Sequence, residues 1–168
     1  KNWDSPSYFA QISNGYSGLI WRTTGSDGKI EIADGATAKA AYNTTRVNTD
    51  GSTNQFAELN CEAYGALYQD VLTTPGTVLH WGLEHSGRDG SETMQVVIMG
   101  TKDVPANWKP TNAVITDSSV QATITDGSDD WNYYTDASTG AGGYVVPAGQ
   151  YVTRFYFVSC DGFNTTHG

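Results

Sequence analysis

The sequence predicts an all-β chain, an antiparallel β-sandwich of jelly-roll type, and three observations carry that prediction. Glycine and aromatic residues are abundant while only 16% of the chain is charged, a profile that suits strands and tight turns better than the Glu-, Lys- and Arg-rich surfaces of helices. Asp-Gly occurs six times, beginning at Asp27, Asp34, Asp50, Asp89, Asp126 and Asp161, and this dipeptide fits the φ > 0 positions of hairpin loops. Between these markers lie short runs rich in β-branched and aromatic residues.

In chain order the expected strands are KIEIA (29–33), QFAELN (55–60), ALYQDV (66–71), TVLHWGLEH (77–85), TMQVVIMG (93–100), VQATITD (120–126), GYVVP (143–147) and QYVTRFYFVSC (150–160). Each is bounded by turn residues. Only ATAKAAYN (36–43) has a helical composition, enough for a turn or two. Many short strands with turn signals between them imply two antiparallel sheets packed face to face. In the last run, alternation puts Val152, Arg154, Tyr156, Val158 and Cys160 on one face and Thr153, Phe155, Phe157 and Ser159 on the other. Both faces are partly apolar, so this strand is expected to be central, with the core on one side and a concave binding surface on the other.

The 168 residues suffice for a single domain (1–168) with its own core, expected to be excised from a larger multidomain protein and monomeric within it. The net charge of −9 disfavours nucleic acid, anionic lipid and acidic polysaccharide, and so favours a neutral partner. No apolar stretch is long enough to span a bilayer, and the first thirty residues lack the layout of a signal peptide, so any export signal is expected to have been removed. Cys61 and Cys160 stand ninety-nine positions apart without histidines at ligand spacing, which argues against zinc and leaves open either a disulfide or two buried thiols.

Catalytic and metal motifs are matched only in part. GYSGL (15–19) has the wrong order for a nucleophile elbow. HWGLEH (80–85) is one residue too long for a zincin motif, and in a strand it places His80 and Glu84 on one face and His85 on the other. A glycoside hydrolase needs two carboxylates across a cleft, and Glu58, Glu62, Glu84 and Glu92 are the glutamates near strands. TDGSDDWNYYTD (125–136) holds four acidic residues and three large aromatics. It is no EF-hand, because the sixth and twelfth places from Asp126 hold Trp131 and Ala137. A less regular structural Ca²⁺ site using Asp126, Asp129, Asp130 or Asp136 stays open, and no cofactor is required.

The same stretch suits sugar. A pyranose ring has an apolar C–H face that stacks on an aromatic ring, while carboxylates and amides take its hydroxyls. Trp131, Tyr133 and Tyr134, with Asp129, Asp130 and Asn132 between them, supply both parts. The competing reading is that Trp131 plugs one end of the sandwich and the tyrosines cover it.

WRTTGSDGKIEI (21–32), QFAELNCEAYGALYQDVLTTPGTVLHWGLEHSGRDGSETMQVVIMG (55–100) and GGYVVPAGQYVTRFYFVS (142–159) together resemble jelly-roll, galactose-binding-like modules of secreted and cell-surface proteins of anaerobic gut bacteria. Carbohydrate-binding modules are among these, and the nearest in character are the starch-adherence proteins of amylosomes. The resemblance implies a secreted or cell-surface, non-catalytic module for neutral glycan, with starch or maltooligosaccharide favoured. Trp21, Tyr68 and Trp81 recur in that pattern and serve equally well as core residues, and Arg88 is expected to pair with an acidic neighbour and order its hairpin. A departure from the pattern is the insert KDVPANWKPTNAVITD (102–117), where Trp108, beside Asn107 and between Pro105 and Pro110, is expected to be an exposed ring on a stiff loop and a ligand contact. The alternatives are a β-sandwich glycoside hydrolase using paired Glu and a cell-surface adhesion or assembly module that binds protein.

Overall fold

A computed structural model describes residues 9–34, 55–60, 63–88, 90–105, 108, 113–128 and 131–160. Twelve strands occur there: β1 (Phe9–Ser13), β2 (Arg22–Thr23), β3 (Lys29–Asp34), β4 (Gln55–Glu58), β5 (Ala66–Leu72), β6 (Val78–Leu79), β7 (Gly82–His85), β8 (Glu92–Gly100), β9 (Val120–Asp126), β10 (Asn132–Thr135), β11 (Tyr144–Val145) and β12 (Val152–Ser159). Among the described residues there is no helix, hence none long and apolar enough to cross a membrane. The helical expectation for 36–43, and Cys61, on which the choice between a disulfide and two thiols turns, lie outside the described residues.

Every pairing among these strands is antiparallel. One layer is a five-stranded sheet of order β2-β5-β12-β8-β9, and the rest comprises the β1-β3-β4 sheet and the two-stranded ribbons β6/β11 and β7/β10. The chain is an all-β sandwich. Its interior joins Met94, Val96, Ile98, Ala122, Ile124, Phe155 and Phe157 of the large sheet to Trp81, Leu83, Tyr134 and Tyr144 of the ribbons. Each fully buried aliphatic side chain there contributes about 1.5–3 kcal/mol, which is what holds two short ribbons against the sheet.

The long run expected at 77–85 is broken into β6 and β7, because the chain leaves one partner, β11, for another, β10, at His80–Trp81. Strands β1, β2 and β10 carry weak alternation and were not anticipated. Strand β12 is central, flanked by β5 and β8. Its second face, however, is no open concave surface. Tyr156, Val158 and Cys160 form a buried cluster with Val97 and Met99, onto which Val104, Trp108, Ile115 and Val120 pack. Val104, Trp108 and Ile115 of the insert that sequence marked as a departure therefore lie over the sheet. Gln95, fully buried on β8, fastens it: its Nε2 donates to Ile115 O at 2.9 Å and its Oε1 accepts from Ile115 N at 2.7 Å. That paired amide replaces the backbone partner a neighbouring strand would have supplied.

Candidate functional site

The aromatic stretch falls on β10 and the loop before it, and β10 pairs with β7 in the register Asn132↔His85, Tyr133↔Glu84, Tyr134↔Leu83 and Thr135↔Gly82. Alternation divides the ribbon into two faces. Asn132, Tyr134, Leu83 and His85 belong to the inner face, and Tyr133, Thr135, Gly82 and Glu84 to the outer one.

The inner face is organised by Asp126, at the end of β9 and buried. Its Oδ1 accepts from Tyr134 Oη and from Asn132 Nδ2, each at 2.7 Å, and its Oδ2 lies 2.7 Å from His85 Nδ1. A carboxylate only accepts, so His85 donates from Nδ1. The hydrogen bond to Asp126, reinforced by burial, pushes the Tyr134 hydroxyl above its ordinary range. Two expected sugar contacts, Asn132 and Tyr134, thus direct their donors into the protein. Gly87 N donates to Gly127 O at 2.9 Å, tying the loop after β7 to the loop before β10.

Trp131 is half-buried, its ring tilted 58° on Phe56 with centroids 5.0 Å apart. It fastens the β9–β10 loop to β4. Further along β4, Glu58 accepts from Arg88 Nη1 at 2.8 Å, which is the acidic neighbour expected for Arg88. Glu58 is also cross-strand to Glu31 and hydrogen-bonded to it. Burial first, and the Glu31 hydrogen bond second, push the Glu58 carboxyl up to about 9, with Arg88 pulling the other way. These two glutamates touch, whereas the carboxylates of a glycosidase stand ~5 to 9.5 Å apart with sugar or water between them. Glu62 lies outside the described residues.

Tyr133 stands apart from all of these. Its side chain is on the outer face with 67% of its area open, beside the exposed Glu84 on the opposite strand. It lies over Gly82: a Cβ at that position would stand 2.8 Å from the Tyr133 hydroxyl oxygen and 3.4 Å from Cζ. Glycine at 82 lets the ring lie down along the ribbon. Gly82 escaped sequence reasoning, and Glu84 entered it only as a hydrolase carboxylate, because their place beside Tyr133 depends on the β7/β10 register, which no short-range pattern encodes.

The remaining expected contacts are distributed elsewhere. Trp108 is half-buried rather than an exposed ring, with its centroid 4.4 Å from that of Tyr156 and its ring packed on the sheet cluster. Nearby Arg154 makes a two-point ion pair with Asp70 at 2.5 and 2.7 Å and covers the Tyr68 ring at 4.2 Å, so that ring face is already occupied. Trp21 packs on Phe157 at 5.4 Å and Trp81 is core. Asn107, Asp129 and Asp130 lie outside the described residues.

For the Ca²⁺ expectation, Asp126 is engaged as above, and Asp136 lies 2.7 Å from His80 Nδ1, which holds its carboxyl below the usual range. Among the described residues no group of three His, Cys, Asp or Glu side chains is arranged to hold a metal ion. Compared with known proteins, the chain matches no family model, no curated protein and no solved structure.

Proposed function

We propose that the chain binds neutral polysaccharide without altering it, an α-glucan such as starch or a maltooligosaccharide being the favoured ligand, as a module displayed on a secreted or cell-surface protein. The observation that carries this reading is the outer face of the β7/β10 ribbon: an open phenol ring at Tyr133 lying over Gly82, with the Glu84 carboxylate opposite. The ring supplies a stacking face, the carboxylate an acceptor for hydroxyls, and the Asp126 hub beneath keeps the strand rigid, so little ordering is needed on binding.

The charge of −9 favours an uncharged glycan over an acidic one. A flat crystalline polymer calls for several coplanar open rings, whereas Trp108 and Trp131 are each tilted against an internal partner on separate elements. One open ring on this ribbon, Tyr133, fits a curved, flexible chain. Affinity is then modest, and display in several copies raises avidity without new contacts.

Native gels cast with starch, mannan, xylan or β-glucan test the reading. Retardation by starch with no release of reducing sugar is expected, and Tyr133→Ala is expected to weaken binding about fivefold, the ~1 kcal/mol of one stacked ring. Gly82→Ala is the sharper probe. The new methyl displaces only the tip of Tyr133, so it is expected to weaken retardation while leaving the melting temperature within a degree or two of wild type. Wild-type protein that retains a partner protein but ignores every polymer would instead mark an adhesion module.

A further inference from the structure

A second surface lies at the other end of the molecule. Strand β8 runs from Glu92, paired with Asp126 at the hub, to Gly100, paired with Thr153, a distance of roughly 26 Å at strand rise. At the Gly100 end is a cleft of about 400 Å³, lined by Gly100, Lys102, Asp103, Pro147, Gln150 and Tyr151 among others. That volume is at the small end of the ~300–1,000 Å³ of small-molecule sites.

The cleft is built on fixed backbone. Thr101 N donates to Val152 O at 3.2 Å, Asp103 N to Gly100 O at 3.0 Å, and Gln150 N to Pro147 O at 3.2 Å, so both turns are closed and cross-linked. Its floor is polar and oriented. Gln150 is only 8% exposed, its Nε2 donating to Thr153 Oγ1 at 2.6 Å and its Oε1 accepting from Tyr144 Oη at 3.0 Å. A carbonyl oxygen has two lone pairs, so Oε1 can take a second donor. A Cβ on Gly100 would stand 2.6 Å from Asp103 Oδ2 and 2.8 Å from Gln150 Oε1. With glycine there, both oxygens come together over the strand end.

Tyr151 forms one wall with 65% of its area open, while its carbonyl is held by Thr73 N at 3.0 Å. We propose that this cleft is a second saccharide site, taking a short neutral unit such as the end of a glycan chain. The Tyr151 ring supplies the stacking face, Gln150 Oε1 and Asp103 accept from hydroxyls, and Lys102 donates to one. Lys102 and Asp103 offset each other in charge, so the cleft favours no ion, and its closed turns suit a compact unit rather than an extended polymer. The inference shares the sugar-binding premise of the ribbon but rests on different residues.

Titration of the ¹⁵N-labelled chain with maltotriose, followed by backbone amide shifts, tests it. Saturable shifts are expected at 100–103 and 149–151, persisting in Tyr133→Ala and weakened at least about fivefold in Tyr151→Ala and in Asp103→Ala. Both of those side chains are exposed, so the variants should keep the wild-type spectrum elsewhere. Shifts confined to 82–84 and 132–134 would overturn the cleft and leave the ribbon standing. Shifts at the cleft alone would support it and overturn the ribbon. No response at either end would overturn both.

Discussion

Asp126 serves three donors with two oxygens, and a side chain used so fully is difficult to replace. Truncating it leaves a half-buried histidine, an amide and a phenol without their acceptor, so Asp126→Ala is expected to cost about 3 kcal/mol in urea unfolding. Asp126→Asn should recover only part of that, since an amide can accept at one atom alone. Trp108 makes the opposite kind of prediction. Because its ring packs on Tyr156, Trp108→Ala should lower stability by roughly 2 kcal/mol, below the ~3–5 kcal/mol of a fully buried ring, and leave starch retardation as in wild type. At this scale the sequence was informative about residue type and silent about cover. It placed Trp131, Tyr133 and Tyr134 in one short stretch, but which ring opens outward is decided by Asp126 drawing Tyr134 in, by Phe56 receiving Trp131 and by Gly82 leaving room for Tyr133. Those partners come from β9, β4 and β7, and none is local.

At the scale of elements, the β3/β4 pair is the one most sensitive to conditions. Glu31 and Glu58 share a hydrogen bond across the two strands, with Arg88 on Glu58 and Gln11 donating to Glu31 at 3.1 Å, while Lys29 reaches Gln11 at 3.0 Å. The folded chain keeps a proton on Glu58 up to about pH 9, whereas the unfolded chain releases it near the ordinary 4.5. The associated stability is fully present below that lower value and is lost as pH rises through the window to about 9, by at most ~1.4 kcal/mol per pH unit. A melting temperature that declines from pH 5 to 8.5, and declines less in Glu58→Gln, is the expected result. A flat wild-type profile would show the pair unable to hold its proton. Strands β3, β5, β8, β9 and β12 were legible because their residues alternate or run apolar between turn signals. Strands β1, β2 and β10 were not, since their alternation is weak and their pairing is set by partners distant in sequence.

At the scale of the whole molecule, the sandwich separates the two proposed sites. The large sheet is covered on both sides, by the ribbons on one and by Val104, Trp108 and Ile115 on the other, so both faces of the central strand are packed. Among the described residues, the open rings proposed to meet sugar are Tyr133 on the outer ribbon and Tyr151 near the far end of β8. The fold class was readable from composition and turns, because many short strands admit few other packings. The covering of β12 was not, because alternation reports that a face is apolar and never what fills it. A chain engaged at two ends would also bridge neighbouring glucans, which predicts steeper retardation on branched than on linear polymer at equal mass.

The most direct measurement is the dissociation constant for soluble starch of wild type, Gly82→Ala and Tyr133→Ala, taken from mobility across a series of polymer concentrations. Clear retardation of wild type, weakened to a similar degree in both variants at unchanged melting temperature, is the predicted outcome. Equal mobility of all three, whether retarded or not, would contradict it.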